Sequence, residues 1–387
     1  VSQAPMLDVV VIGGGIAGLW VLDRLAAAGF SAILLERAAL GAGQTIAAQG
    51  IIHGGAKYEV EGKGTAASES IAAMPDRWRA SLRGERAPDL TAAKVLTERH
   101  LMLARGFGLK AELASRLLQA RRSRLDRAEW PEACALIAQL RRVIGLEEPV
   151  VDVPSVLQAF AAQQRERVHR AEVVALHQDG DSVRLTLRGP HGRPGELAAR
   201  FAVLAAGAAN HLLLPAARQQ LRPLHMVLAR GAPGPLFAHL LVGPARPALT
   251  ITSHALEQGF VWYLGGDLAE RGVALDAEAL IKQARTEIAA AFGAAATTGM
   301  RFATKRIDRA EGAMPGKRRP DGAVLQQEGR VLALWPTKLA LAPAAAEQAL
   351  AWLRGKASPG ERGPLPLADW PRPEVAHALW EDVEQWN

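Results

Sequence analysis

LDVVVIGGGIAGLWVLDRLAAAGFSAILLE, residues 7–36, lies at the start of the chain and decides how the rest is read. Residues 9–12 form a continuous apolar run without alternation, the pattern of a strand buried on both faces of a parallel sheet. Gly13, Gly15 and Gly18 follow in GxGxxG spacing, and residues 19–28 continue as an apolar-periodic helix that Gly29 ends. A second apolar run, 32–35, closes at Glu36, eighteen residues beyond Gly18. One glycine makes the tight turn, one lets the backbone approach a pyrophosphate, and one packs helix on strand. The unpaired amides at the helix N-terminus, Ile16 and Ala17 among them, hold a diphosphate with the helix dipole behind them. Glu36 accepts hydrogen bonds from ribose hydroxyls, with Arg37 beside it, and repels a 2′-phosphate, which disfavours NADP. GxGxxG alone also fits a structural turn. The strand before it, the helix after it and the acid at the right distance select dinucleotide binding.

The chain has 387 residues, more than one domain usually holds, so two interleaved domains are expected. Its net charge is +7, spread over arginines rather than held in a basic tract. With only 5% aromatic residues there is no interleaved Arg/aromatic stacking platform, so no specific nucleic acid is expected. A surface that draws in a small anionic substrate is the simpler use of the charge. Cys134 is the only cysteine, which excludes an intramolecular disulfide, a CxxC pair and a thiolate-ligated cluster. It reads as a small buried hydrophobe, and no metal is expected. A polar heptad leads straight into the first strand without a charged-then-apolar leader, and no uninterrupted apolar run reaches about 18 residues. A cytoplasmic, non-spanning protein is the expectation.

After Glu36 comes a long Gly- and Ala-rich loop, residues 37–60, of the kind that carries function in compact domains. Helical patterns follow at 65–83 and 109–144, and 155–165 reads as a helix that Asp152 or Ser155 caps. Strands are expected at 94–97, 101–104, 172–187 (a pair joined by a turn at 179–181) and 201–206. From 222 to 314 short strands broken by Gly and Pro surround one amphipathic helix, 276–292. A strand at 330–334 then enters a helix at 339–353. Val375, Leu379, Val383 and Trp386 fall on one face of a terminal helix, which folds back on the body or serves as a subunit or peripheral membrane contact. The architecture is α/β: a discontinuous nucleotide-binding domain of residues 1–58, 150–215 and 315–387, with a second, antiparallel-sheet α+β domain of 59–149 and 216–314 for substrate.

These stretches resemble the D-amino-acid-oxidase superfamily of FAD enzymes, which includes glycine oxidase and glycerol-3-phosphate dehydrogenase. The similarity runs the length of the chain: GGGIAG with Glu36, GAGQT…GIIHGGAKY, AVLAAG at 202–207, VWYLGG at 261–266, RRPDG at 318–322 and PTKLALAP at 336–343. IIHGGAKY is similar to the IHGGxRY loop of glycerol-3-phosphate dehydrogenases, with Lys57 where those enzymes carry arginine. The resemblance implies a Rossmann-like FAD domain in which Val174 lies beside the adenine and Ala206 and Gly207 lie near the diphosphate. Gln44, Thr45, Gln49, Gly50 and Ile52 would run along the diphosphate and flavin. Neither 44–48 nor 335–343 holds the histidine or cysteine that links FAD covalently in some relatives, so the FAD is expected to be non-covalent.

A flavin that accepts hydride needs a positive group near N1/O2, an apolar wall and a polar cluster that holds the substrate. Lys338, with the helix start at Leu339 behind it, meets the first need. His53 is the candidate general base, against the alternative of a histidine that bonds the loop backbone. Tyr58 and Tyr263, the only tyrosines, both fall in segments that line the active site of relatives. Lys57 and Arg319 would clamp an anion, with Arg306 or Arg309 as a further member of the clamp, although surface pairing with Asp308 or Glu311 is the favoured reading of those two. The expected activity is hydride removal from a small anionic hydroxy acid or polyol phosphate. An amino-acid oxidase of the glycine-oxidase type, or a flavin-binding subunit of a redox complex, is the alternative. Oxygen, a quinone or a carrier protein then takes the electrons, and the sequence does not choose among them.

Overall fold

The apolar run that opens the chain becomes the strand Leu7–Ile12, buried at every position, and the glycines turn it into the helix Ile16–Ala27. Ala32–Glu36 returns parallel to the first strand in the register Val9↔Ala32 to Ile12↔Leu35. The computed structural model describes residues 6–55, 71–105, 122–137, 140–241, 247–360 and 363–387.

Two eight-stranded sheets organise the described chain. In the first, Leu7–Ile12 is flanked by Ala32–Glu36 and Pro194–Leu204, with Val168–Arg170 and Val331–Trp335 beyond them, all parallel. The hairpin strands Glu172–Asp179 and Ser182–Arg188, and the edge strand Val324–Glu328, add antiparallel pairs. Helices Ile16–Ala27 and Ala342–Arg354 pack together on one face, where Trp20 meets Trp78 and Phe160 edge-on at 5.3 and 5.8 Å. Completing the parallel sheet takes strands from three distant parts of the sequence, because each crossover needs a covering element before the next strand can be laid down.

The second sheet runs in the order Arg301–Gly312, Gln219–Arg230, Phe260–Gly265, Pro247–Ala255, Ala238–Leu241, His100–Arg105, Leu140–Leu146, Arg122–Arg124. It is mixed rather than wholly antiparallel, because Ala238–Leu241 lies parallel to His100–Arg105. Helix Ala277–Phe292 covers it, capped by the Asp276 carboxylate on the Ala279 amide at 2.8 Å. Asp152 caps Val153–Gln163 in the same way, through the Ser155 amide.

Residues 122–137 contain a short strand and two 3₁₀ turns, and 140–146 is a strand, where 109–144 was read as helical. Pro131 and edge pairing with Leu140–Leu146 override the helical pattern there; 106–121 lie outside the described residues. The last helix starts at Ala342, preceded by a 3₁₀ turn, Leu339–Leu341. The C-terminal stretch forms no helix. Leu40 exchanges backbone bonds with Glu374 and Ala376, and Asn387 exchanges two with Phe302, so its hydrogen bonds are met by distant backbone. Its Val375, Leu379, Val383 and Trp386 still pack on the body, and Trp380 stacks on His254 at 3.9 Å.

Candidate active site

A cavity of about 1050 Å³ runs from the glycine turn, between the two sheets, to His53 and Arg319. Gly13 sits at φ +109°, and a Cβ there would come within 2.6 Å of the Ala205 carbonyl oxygen. Gly18 closes on the same turn: a Cβ would collide with the Gly13 oxygen, so its job is to let helix lie on strand, and it does not face the cavity. Gly15, Ile16 and Ala17 line the cavity, and the Ile16 amide donates to Thr45 Oγ1 at 3.0 Å.

Glu36 also lines it, accepting from the Gly14 amide at 2.6 Å and the Ala38 amide at 2.9 Å. A carboxylate offers about four lone-pair sites, so two remain for ribose hydroxyls. Arg37, Val174, Ala206 and Gly207 complete this end. Gly207 has φ +57° and open space where a side chain would stand, while Asn210 Oδ1 accepts from the Ala206 amide at 2.8 Å. A narrow turn of backbone amides, a carboxylate with acceptor sites to spare and a long cleft beyond them are what an ADP moiety requires.

The loop after Glu36 is strapped to the second sheet. Gln44 Oε1 accepts from the Ala310 amide, and Gln49 Nε2 donates to the Thr250 and Tyr263 carbonyls at 3.1 and 2.8 Å. Both glutamines, Thr45 and Gly50 line the cavity. Ile52 does not: it is fully buried in the core, its amide donating to Pro149. Tyr263 also differs from expectation. It is 1% exposed and its hydroxyl donates to the Ala47 carbonyl at 2.9 Å, so it braces the loop from behind and does not line the cavity. Burial raises its phenol well above the ordinary value, so it stays a neutral donor. Lys57 and Tyr58 lie outside the described residues.

At the far end His53 Nδ1 stands 3.4 Å from Glu148 Oε2, and Glu148 Oε1 accepts from the Gly54 amide at 2.7 Å. Burial works to raise the Glu148 carboxyl, but the His53 contact and the Gly54 amide hold it below the usual carboxylate range. The His239 ring stacks parallel to His53 at 5.9 Å, with Nδ1 2.9 Å from Thr250 Oγ1. Glu148 and His239 were not singled out in the sequence. Glu148 is one of two adjacent glutamates, and His239 is a lone histidine in the apolar stretch LFAHLLV.

Arg319 and Lys338 line the same cavity, with Leu339 next to Lys338. Glu311, fully buried, lies 3.3 Å from Arg222 Nε and 3.9 Å from Arg319 Nε. Arg309, read as a surface partner, instead lines the cavity, its Nε donating to the Arg222 carbonyl. Burial and the neighbouring Arg319 push its guanidinium down to about 10. Arg306 donates to the Val273 and Leu275 carbonyls and makes no pair with Asp308. Three arginines around one carboxylate leave this wall with an excess of positive charge.

Such a fold and cleft define a dinucleotide-dependent oxidoreductase, and the family model for FAD dependent oxidoreductases (DAO) matches residues 8–254. The chain belongs to that family, and its cofactor is non-covalent FAD. It is 41% identical over 394 residues to the FAD-dependent oxidoreductase PA4991 of Pseudomonas aeruginosa, covering 98% of each chain. The crystal structure of PA4991 matches with TM-score 0.83 and 37% identity over 98% of this chain and 99% of that one. Glycine oxidase from Geobacillus kaustophilus shares the fold at TM-score 0.64 and 16% identity, over 94% of this chain and 98% of that one. L-proline dehydrogenase from P. horikoshii does so at 0.66 and 13%, over 94% and 96%. No helix among the described residues is long and apolar enough to cross a membrane.

Proposed function

We propose that this chain oxidises a small anionic amine or amino acid at its CH–NH bond. The observation that carries the reading is a single cavity with a histidine–carboxylate pair and an arginine-rich wall beyond a nucleotide-binding turn. Bound FAD supplies the two-electron acceptor for the substrate's C–H hydride. Arg319, with Arg309 beside it, binds the substrate's carboxylate, where a planar guanidinium gives a two-pronged fit. Lys338 and the start of the last helix place positive charge at the flavin end, favouring an anionic reduced ring. His53, whose Nδ1 faces Glu148, keeps Nε2 as the nitrogen that takes the substrate's N–H proton.

The amine reading takes precedence over the hydroxy-acid expectation because the relatives sharing the fold are named for glycine, proline, L-amino acids and iminodiacetate. A hydroxy acid or polyol phosphate remains the second reading, on the similarity of the His53 loop to that of glycerol-3-phosphate dehydrogenases. A flavin-binding subunit has less support, since the apolar tail residues that suggested a partner lie against the chain's own body. Anaerobic mixing of the purified protein with amino acids, secondary amines, hydroxy acids and polyol phosphates decides. Bleaching of the flavin band by amines alone is expected. Bleaching only by hydroxy compounds overturns the proposal, as does no bleaching by any member.

A further inference from the structure

The cavity floor beneath His53 holds more ionisable groups than a lone base requires. Glu148 comes from the segment before the strand Val150–Val151, His239 from Ala238–Leu241 and His100 from His100–Arg105. His100 is fully buried, 4.3 Å edge-on to His239, and burial pushes it down to about 3, so it stays neutral. Arg309, Arg319 and Lys338 share the cavity lining, while Lys57 and Tyr58, on the His53 loop, lie outside the described residues. Three imidazoles and one carboxylate therefore meet here, and the carboxylate can balance one proton.

We propose that Glu148 is the positioning residue of this site: a buried carboxylate that orients His53 through Nδ1 and compensates the charge His53 gains on taking the substrate's proton. The inference rests on the reading of His53 as base. Glu148 is suited to the task because the Gly54 amide fixes its other oxygen, leaving Oε2 directed at the ring. Its bond to His53 Nδ1 also sets the tautomer, so the lone pair resides on Nε2. The 3.4 Å separation is long for a hydrogen bond, and shortens as the ring becomes cationic. His239 lies parallel to His53, with its own Nδ1 2.9 Å from Thr250 Oγ1. The step balances within the site. His53 Nε2 takes the N–H proton, bound FAD would supply the acceptor for the C–H hydride, and the substrate, having lost both, leaves as an imine.

The test is Glu148→Gln in the flavin-loaded protein, with Glu148→Asp as a second variant that keeps the charge. Histidine-selective NMR titration of resting protein, with the His53 signal assigned by its loss in His53→Gln, reads the coupling without turnover. An anionic neighbour stabilises imidazolium, so Glu148→Gln should move the His53 midpoint downward, and Glu148→Asp should restore most of it. The acid limb of anaerobic flavin reduction should move by the same amount in the same direction. An unmoved His53 midpoint overturns the inference and leaves the CH–NH reading standing. A moved midpoint with an immobile kinetic limb upholds the coupling and overturns His53 as the base. His53, Glu148 and His239 also offer donor atoms within 4.8 Å of one another. One equivalent of tightly held divalent cation by elemental analysis, with a His53 signal that changes on chelation, would replace the relay with a metal centre.

Discussion

Gly13 and Tyr263 show how single residues shape this site through the backbone around them. At Gly13 the φ of +109° and the 2.6 Å approach to the Ala205 carbonyl leave no room for a methyl group, and backbone cannot step aside as a side chain can. Gly13→Ala should therefore give protein that binds little or no flavin, read from the ratio of flavin to protein absorbance after gel filtration. Tyr263→Phe acts differently. It removes the one bond from Tyr263 to the Ala47 carbonyl and leaves that oxygen poorly satisfied beside buried neighbours. A loss of about 1–3 kcal/mol in urea denaturation is expected, with flavin reduction by a good substrate slowed far less than by His53→Gln. Equal loss of activity in the two variants would return Tyr263 to the reacting centre.

Elements built from local pattern were legible, and those built by distant partners were not. The strand–turn–helix at residues 7–27 carries its own period, its own glycines and its own acid, so neighbours confirm what the sequence already dictates. The same holds for Ala277–Phe292, where Asp276 marks the start. Asp276→Ala removes that cap at a residue outside the cavity lining, and should cost about 1 kcal/mol of stability without altering the flavin spectrum. The tail misled because apolar spacing at 375–386 says only that these residues are buried. Leu40 and Phe302 decide that its backbone pairs in extended form, and nothing in the tail announces them. For the site, the loop that delivers His53 was visible in its residues. Glu148 and His239 were not, because their meaning comes from two strands and a turn that converge only in the folded chain.

Across the whole molecule, burial of histidine ties stability to pH. His100 and His254 are pushed down to about 3 and His169 to about 4, in each case by burial first. All three sit neutral in the folded chain, whereas the unfolded chain protonates them near 6.5. Below that value the unfolded state binds more protons, so stability is fully present above about pH 6.5 and falls as pH drops toward the folded values. Each histidine contributes a slope approaching 1.4 kcal/mol per pH unit, so together they remove up to about 4 kcal/mol between pH 7.5 and 5.5. That is a large share of the roughly 5–15 kcal/mol that holds a typical domain folded. The three lie in different places: His169 under the first sheet's edge, His100 buried against His239, and His254 against Trp380 of the tail. Acid should accordingly loosen both sheets and the tail together. Urea midpoints of the flavin-loaded protein measured from pH 7.5 to 5.5 should fall steeply. His254→Gln should remove about a third of the slope, whatever it does to the absolute midpoint. A flat profile, or a slope that His254→Gln leaves untouched, would mean that these imidazoles reach protons without unfolding.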